Sequence, residues 1–264
     1  MTTTRHKLFA TWKNQVGLRR SLDLSAAAVE YGPRCQGLFE LTVCPSMTAL
    51  APVAEVITGN VVVAAQNLVW DDTNSFTGET SASSLSDIGC KYVIVGHSER
   101  RQYLGETDEM IGRKLSTAFA HLITPVLCLG ETFAEHQDGQ FEQVVRRQLS
   151  ALFSAFSDGR PFVVAYEPAW AISTSTEALV CKPSEAGDRH AFLRDAIAHE
   201  LGPDVAASTT ILYGGSVAGP NVAEYLAETD IDGGLVGKAS QELAPFRLLV
   251  DATIAVYQSQ ADGY

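Results

Sequence analysis

Thr124-Pro-Val-Leu-Cys-Leu129 and Phe162-Val-Val-Ala-Tyr166 bracket a segment, Phe141–Phe156, whose apolar residues recur at helical spacing. The two flanking runs are short and continuously apolar, the pattern of strands buried on both faces of a parallel sheet. Between them Val144, Val145, Leu149 and Leu152 form an apolar stripe, with Arg146 and Arg147 turned outward. Strand, helix and strand in this order make one βαβ unit.

The same rhythm runs outward in both directions. Upstream lie the strand-like runs Lys7–Thr11, Leu38–Cys44, Val61–Ala65 and Tyr92–Val95; downstream lie Thr210–Tyr213 and Gly234–Val236. Helical spacing recurs in Ser21–Tyr31, Asp108–Ala120, Ser184–Leu201 and Pro245–Gln258, with Ser184 expected as an N-cap after Pro183. Eight strands alternating with helices over about 250 residues predict a closed (β/α)8 barrel, a single domain spanning residues 1–264. A doubly wound open sheet also fits the alternation. It usually carries a glycine-rich turn after its first strand, whereas this chain has Ala10-Thr11-Trp12-Lys13 there. No internal repeat and no interdomain linker interrupts the pattern.

Composition narrows the function classes. Of 264 residues, 46% are hydrophobic and 19% charged, which is globular rather than disordered. The formal charge of −12 disfavours nucleic acid and anionic lipid as partners. It leaves a small anionic substrate open, because one phosphate needs only a local nest of donors. No run approaches the ~18 uninterrupted apolar residues of a membrane helix. Met1–Lys7 leads into a short apolar run that Lys13 interrupts, so it reads as neither signal peptide nor anchor. The five cysteines (35, 44, 90, 128 and 181) form no CxxC pair and read as reduced thiols of a cytoplasmic protein. No metal is expected, since no two cysteines or histidines stand at ligand spacing.

In a parallel barrel the polar residues just after each strand gather at one mouth. Here they are Thr11-Trp12-Lys13, Gly96-His97-Ser98-Glu99, Glu167-Pro168-Ala169-Trp170, Gly214-Gly215-Ser216 and Gly237-Lys238-Ala239-Ser240. Each has a bland reading. Lys13 reads equally as a solvated lysine, His97 as a strand-closing histidine, Glu167 as a salt-bridge partner, Gly214-Gly215 as a turn and Ser173–Thr176 as a surface loop. Together, a cation, an imidazole, a carboxylate and two glycine turns are what proton abstraction beside a phosphorylated carbonyl compound requires.

The strings Tyr92-Val-Ile-Val-Gly-His-Ser-Glu-Arg-Arg101, Val164-Ala-Tyr-Glu-Pro-Ala-Trp-Ala-Ile172, Leu212-Tyr-Gly-Gly-Ser-Val217 and Gly234-Leu-Val-Gly-Lys-Ala-Ser240 resemble the triosephosphate isomerase family, in family order across the chain. Ala65-Gln-Asn67, Phe76-Thr-Gly-Glu79 and Cys128-Leu-Gly-Glu-Thr132 add weaker matches. The resemblance implies a TIM barrel that interconverts glyceraldehyde 3-phosphate and dihydroxyacetone phosphate with no cofactor. Glu167 would be the base, made stronger by exclusion of water. His97 would be a neutral imidazole shuttling protons between oxygens. Lys13 would stabilise the enediolate and help hold the phosphate.

The same resemblance places Glu99 beside Lys13, with Ser98 and Cys128 in support. It implies a phosphate site from the N–H groups of Ser173, Ser216, Gly237 and Lys238, with Gly214, Gly215 and Gly237 clearing space for the ligand, aided by a short helix after Gly237. It implies a lid over Pro168–Ala178, including Trp170, latched by Tyr213. It also implies a homodimer in which loop Gln66–Glu79 sends Thr77 toward Lys13 and Thr11 of a neighbour.

Four positions depart from the family pattern: Thr11 stands where asparagine is usual, Ser173-Thr174-Ser175-Thr176 replaces a glycine-rich lid, Lys238 replaces glycine, and Leu179-Val-Cys-Lys182 lengthens the following segment. Changes around one pocket allow two other readings. One is an isomerase of four-carbon ketose phosphates, as in erythritol catabolism. The other is a non-catalytic barrel that binds a phosphorylated ligand.

Overall fold

The computed structural model describes residues 5–157, 159–172 and 179–262. Eight strands form in chain order: β1 (Lys7–Thr11), β2 (Glu40–Cys44), β3 (Val61–Ala65), β4 (Tyr92–Val95), β5 (Thr124–Leu129), β6 (Val163–Tyr166), β7 (Thr210–Tyr213) and β8 (Gly233–Val236). Each pairs in parallel with its neighbour, and β1 pairs with β8, so the sheet closes. Closure overturns the open-sheet alternative.

Near-continuous burial explains the apolar runs. One set of side chains fills the barrel interior, including Phe9, Ala64, Ile94, Val126, Leu212 and Leu235. The alternate set packs outward against the helices, as Leu8, Val43, Val95, Leu127 and Val164 do. Both faces of each strand are therefore dry, which removes any reason for polar alternation. No helix among the described residues is long and apolar enough to cross a membrane.

The helices follow their sequence cues closely. Asp108–Ala120 begins where expected, capped by the Thr107 hydroxyl accepting from the Met110 amide at 3.2 Å. Phe141–Ala155 buries Val144, Val145, Leu149 and Leu152 and leaves Arg146 and Arg147 exposed. One expectation fails: Ser184 lies inside the helix Pro183–Leu201, and Lys182 occupies the N-cap. Proline fits the first helical position, because its fixed φ is already helical and its missing N–H would be unpaired there anyway. The first and last helices are longer than their apolar spacing suggested, Leu18–Cys35 and Leu243–Asp262.

Register sets up the mouth of the barrel. Leu129 pairs with Tyr166, and Tyr166 pairs with Tyr213. The next residues, Gly130, Glu167 and Gly214, thus leave the sheet side by side.

Candidate active site

Three strand ends supply the central groups. β1 runs into Lys13, which adopts the left-handed conformation at φ +50°. That region is unusual for a residue with a side chain. The Gln66 side chain ties it to the neighbouring strand: Gln66 Nε2 donates to the Lys13 carbonyl at 3.0 Å and to the Cys44 carbonyl at 2.8 Å. From this backbone the Lys13 ammonium reaches Glu99 Oε1 at 2.6 Å.

β4 ends in a sharp strand-to-helix junction. Gly96 has φ +73°, and an added Cβ would stand 2.9 Å from Ile111 Cδ1, so both conformation and space require glycine. His97 then caps the helix Ser98–Leu104, its Nδ1 accepting from the Glu99 amide at 3.2 Å. An accepting Nδ1 carries no proton, so the hydrogen-bond pattern assigns the ring proton to Nε2. Nε2 faces Glu167 Oε1 at 3.0 Å.

Glu167 follows β6 and is only 3% exposed. Its second oxygen accepts from the Ser98 amide at 3.0 Å. Burial pushes its pKa up, but the imidazole, the Ser98 amide and the Lys13 charge outweigh burial and hold it below the ordinary value. The carboxylate rests against donors that favour its charged form. For His97, burial pulls the pKa down and the Glu167 carboxylate raises it above the ordinary value.

The other expected residues fall into three groups. Thr11, Lys13, His97, Glu99 and Lys238 line one cavity of ≈ 980 Å³. Gly237 lies so close that a Cβ there would stand 3.4 Å from the Lys13 Cε, and a short helical turn, Lys238–Ser240, follows it as expected. Ser98 and Cys128 do not line that cavity; the Cys128 thiol is fully buried, and burial together with the Glu167 charge pushes its pKa well up. Ser216 does not line the cavity; its hydroxyl donates to the Ala171 carbonyl at 3.0 Å. Ser173 and Ala178 lie outside the described residues, so the far part of the expected lid does too.

Pro168 and Trp170 mark the start of that segment, and Trp170 is buried, its indole N–H donating to Glu131 Oε1 at 2.9 Å. Tyr213 is buried with its ring stacked on Tyr225 at 4.5 Å.

Two glycines do other work than the sequence suggested. Gly214 and Gly215 read as clearance for a ligand. Here an added Cβ at Gly214 would stand 2.7 Å from the Glu167 Cγ, and one at Gly215 would overlap the Tyr213 hydroxyl. They make room for the protein's own side chains.

Sequence reasoning also passed over Glu131 and Gln66. Glu131 is wholly buried and accepts from the Tyr166 hydroxyl at 3.0 Å as well as from Trp170. A carboxylate inside an apolar stretch, Cys128-Leu-Gly-Glu-Thr132, was its available signal. Gln66 gave none, because a glutamine after a strand has no fixed partner in sequence.

A buried carboxylate facing an imidazole N–H, beside a cation on a constrained backbone, can take a proton from carbon while donors hold the charge that develops on oxygen. Comparison with known proteins points the same way. The family model described as Triosephosphate isomerase matches residues 7–253. A protein named Triosephosphate isomerase from Thiobacillus denitrificans is 44% identical over 261 residues, covering 97% of this chain and 99% of its own. One from Symbiobacterium thermophilum is 44% identical over 228 residues, covering 84% and 88%. One from Magnetococcus marinus is 39% identical over 261 residues, covering 95% and 99%. Barrel, mouth and sequence thus agree from β1 to the last helix, and the chain belongs to the triosephosphate isomerase family.

Proposed function

We propose that this chain interconverts glyceraldehyde 3-phosphate and dihydroxyacetone phosphate through an enediolate, using protein groups alone. The Glu167 carboxylate takes a proton from the carbon bearing the hydroxyl. The electron pair moves onto the carbonyl oxygen, where the His97 Nε2–H and the Lys13 ammonium stabilise it. His97 moves a proton between the two oxygens. Glu167 then returns its proton to the neighbouring carbon, and the enzyme is regenerated.

The observation that carries this reading is the 3.0 Å contact of Glu167 Oε1 with His97 Nε2. Base and donor meet directly, and a substrate that parts them would set its two adjacent carbons and their oxygens between the two groups. Substrate entering there takes Glu167 away from its charge-stabilising partners, which strengthens it as a base. Lys238, on the cavity wall with Lys13, adds a second cation for the phosphate. Because these groups span Lys13 to Lys238, the chain acts as one domain.

The reading extends to a homodimer formed through loop Gln66–Glu79. In support, that loop is built to hold its shape. Asp71 accepts from the Thr73 amide at 2.8 Å, the Thr73 hydroxyl at 2.6 Å and Asn74 Nδ2 at 2.6 Å, and Trp70 packs against Phe76 at 5.4 Å. Tyr103 and Leu104, 66% and 64% exposed, stand on the rim of the same cavity and offer apolar surface for a partner. Five free, buried cysteines suit a reducing cytoplasm.

The test is incorporation of solvent deuterium into carbon-bound positions during turnover, with kcat/KM compared for triose and tetrulose phosphates. Exchange with triose phosphates as preferred substrates is expected. No exchange with either class would leave a binding barrel, and a preference for the tetrulose phosphates would move the substrate to four carbons.

A further inference from the structure

Beyond β5 and β6 the chain keeps pairing. The Glu167 amide donates to the Leu129 carbonyl at 2.7 Å, and the Ala169 amide donates to the Glu131 carbonyl at 3.1 Å. Gly130 lies between these two bonds, pressed so close to the Glu167 backbone that any Cβ on it would overlap the Glu167 carbonyl. Its own N–H and C=O take no part in that ladder. Both go to one side chain: the Gly130 amide donates to Gln148 Oε1 at 2.8 Å, and Gln148 Nε2 donates to the Gly130 carbonyl at 3.2 Å. Gln148 comes from the helix Phe141–Ala155 and is 4% exposed.

We propose that Gln148 is a positioning residue for the catalytic base, acting through Gly130; this rests on Glu167 being that base. A carboxamide is the one uncharged side-chain group that offers a donor and an acceptor side by side, so it matches both polar groups of a single residue. The ladder alone lets the two segments move together. Gln148 ties them to the helix layer, which is close-packed and does not yield. With Gly130 in contact with the Glu167 backbone, a displacement at Gly130 passes directly to the residue that carries the carboxylate.

Gln148→Met keeps length and approximate volume and removes both hydrogen bonds. A misplacement of about 1 Å at a reacting group costs on the order of a hundredfold in rate. The expected result is therefore a 10- to 100-fold fall in kcat, with KM and the Kd for inorganic phosphate within twofold of the parent. Thr253→Val, which removes a buried hydrogen bond to the Leu249 carbonyl far from the mouth, is the control for lost stability. Its kcat should not move. Should Gln148→Met fail to fold, Gln148→Glu keeps an acceptor for the Gly130 amide but sets a carboxylate oxygen against the Gly130 carbonyl in place of the donor, and it is expected to show the same split between kcat and phosphate affinity.

A folded Gln148 variant with kcat within twofold of the parent overturns the proposal. So does a kcat loss that Thr253→Val reproduces at the same loss in Tm, or one accompanied by an equal loss of phosphate affinity. Glu167→Gln measured in parallel keeps the two ideas apart: if it retains activity, the assignment of the base fails, whatever Gln148 does.

Discussion

His97 and Glu167 are hydrogen-bonded at the barrel mouth: Nε2 stands 3.0 Å from Oε1, and Nδ1 on the far side of the ring accepts from the Glu99 amide at 3.2 Å. The carboxylate is thus held in its charged form by the group that would work opposite it. Glu167→Gln removes the proposed base and leaves the shape. It should lower kcat by several orders of magnitude and leave binding of inorganic phosphate nearly intact. A loss of less than tenfold would show that another group takes the proton.

Gly214→Ala tests how tightly the base is held. The new methyl would meet Glu167 Cγ at 2.7 Å, and a contact that short forces the side chain aside. We expect kcat to fall about 10- to 100-fold with KM changed less than threefold. Steady-state kinetics on the purified variant decides this, and an unchanged kcat would mean that the carboxylate tolerates displacement.

Gln66→Leu tests the backbone under Lys13. It removes the Gln66 side-chain donor from the Lys13 carbonyl, leaves the Cys44 carbonyl only the Trp12 amide, and frees a residue held at φ +50°. The ammonium then has no fixed origin. A fall of about tenfold in kcat/KM for triose phosphates is expected, while the circular dichroism spectrum stays that of the parent. Full activity would mean that the Glu99 contact alone places Lys13.

His190 should make the fold sensitive to acid. Its ring is fully buried between Tyr166 and Tyr213, Nδ1 lies 2.6 Å from the Ala186 carbonyl, and burial lowers its pKa from 6.5 to about 4. As the pH falls below 6.5, the unfolded chain takes up a proton that the folded chain refuses. Stability therefore declines from about pH 6.5 and levels off below about pH 4. The share due to this one group is on the order of 3 kcal/mol. Urea midpoints between pH 7 and pH 4.5 should fall less steeply in His190→Gln than in the parent. Parallel slopes would clear His190 of the effect.

Thr77→Arg tests the proposed dimer. Thr77 is exposed on the pre-shaped loop, and a bulky cation there would clash with a partner's cavity. Sedimentation at micromolar concentration should show the parent as a dimer and the variant shifted toward monomer, with lower activity. A parent that sediments as a fully active monomer would remove the dimer from the proposal.

Much of the fold was legible because each strand is dry on both faces. Runs such as Val163–Ala165 have no polar side chain to hide, and Asp108–Ala120 shows its helix by apolar spacing alone. Where the sequence misled, it did so locally. Ser184 looked like a cap because serine often is one, but Pro183 had already started the helix. Gly214 looked like clearance for a ligand because nothing in a turn sequence names the side chain that will fill the space.

The order of residues by itself determined the barrel and the family, and it singled out Lys13, His97 and Glu167 as candidates, because burial pattern and short motifs are properties of neighbours in the chain. Only the tertiary structure decided how those groups are held. The Glu99 amide chooses the His97 proton, Gln66 fixes Lys13 across 53 positions, and Gln148 reaches Gly130 from another layer. A hydrogen bond depends on distance and direction in space. A glutamine carries no mark in sequence of the carbonyl it will meet, and only closure of the barrel brings the two together.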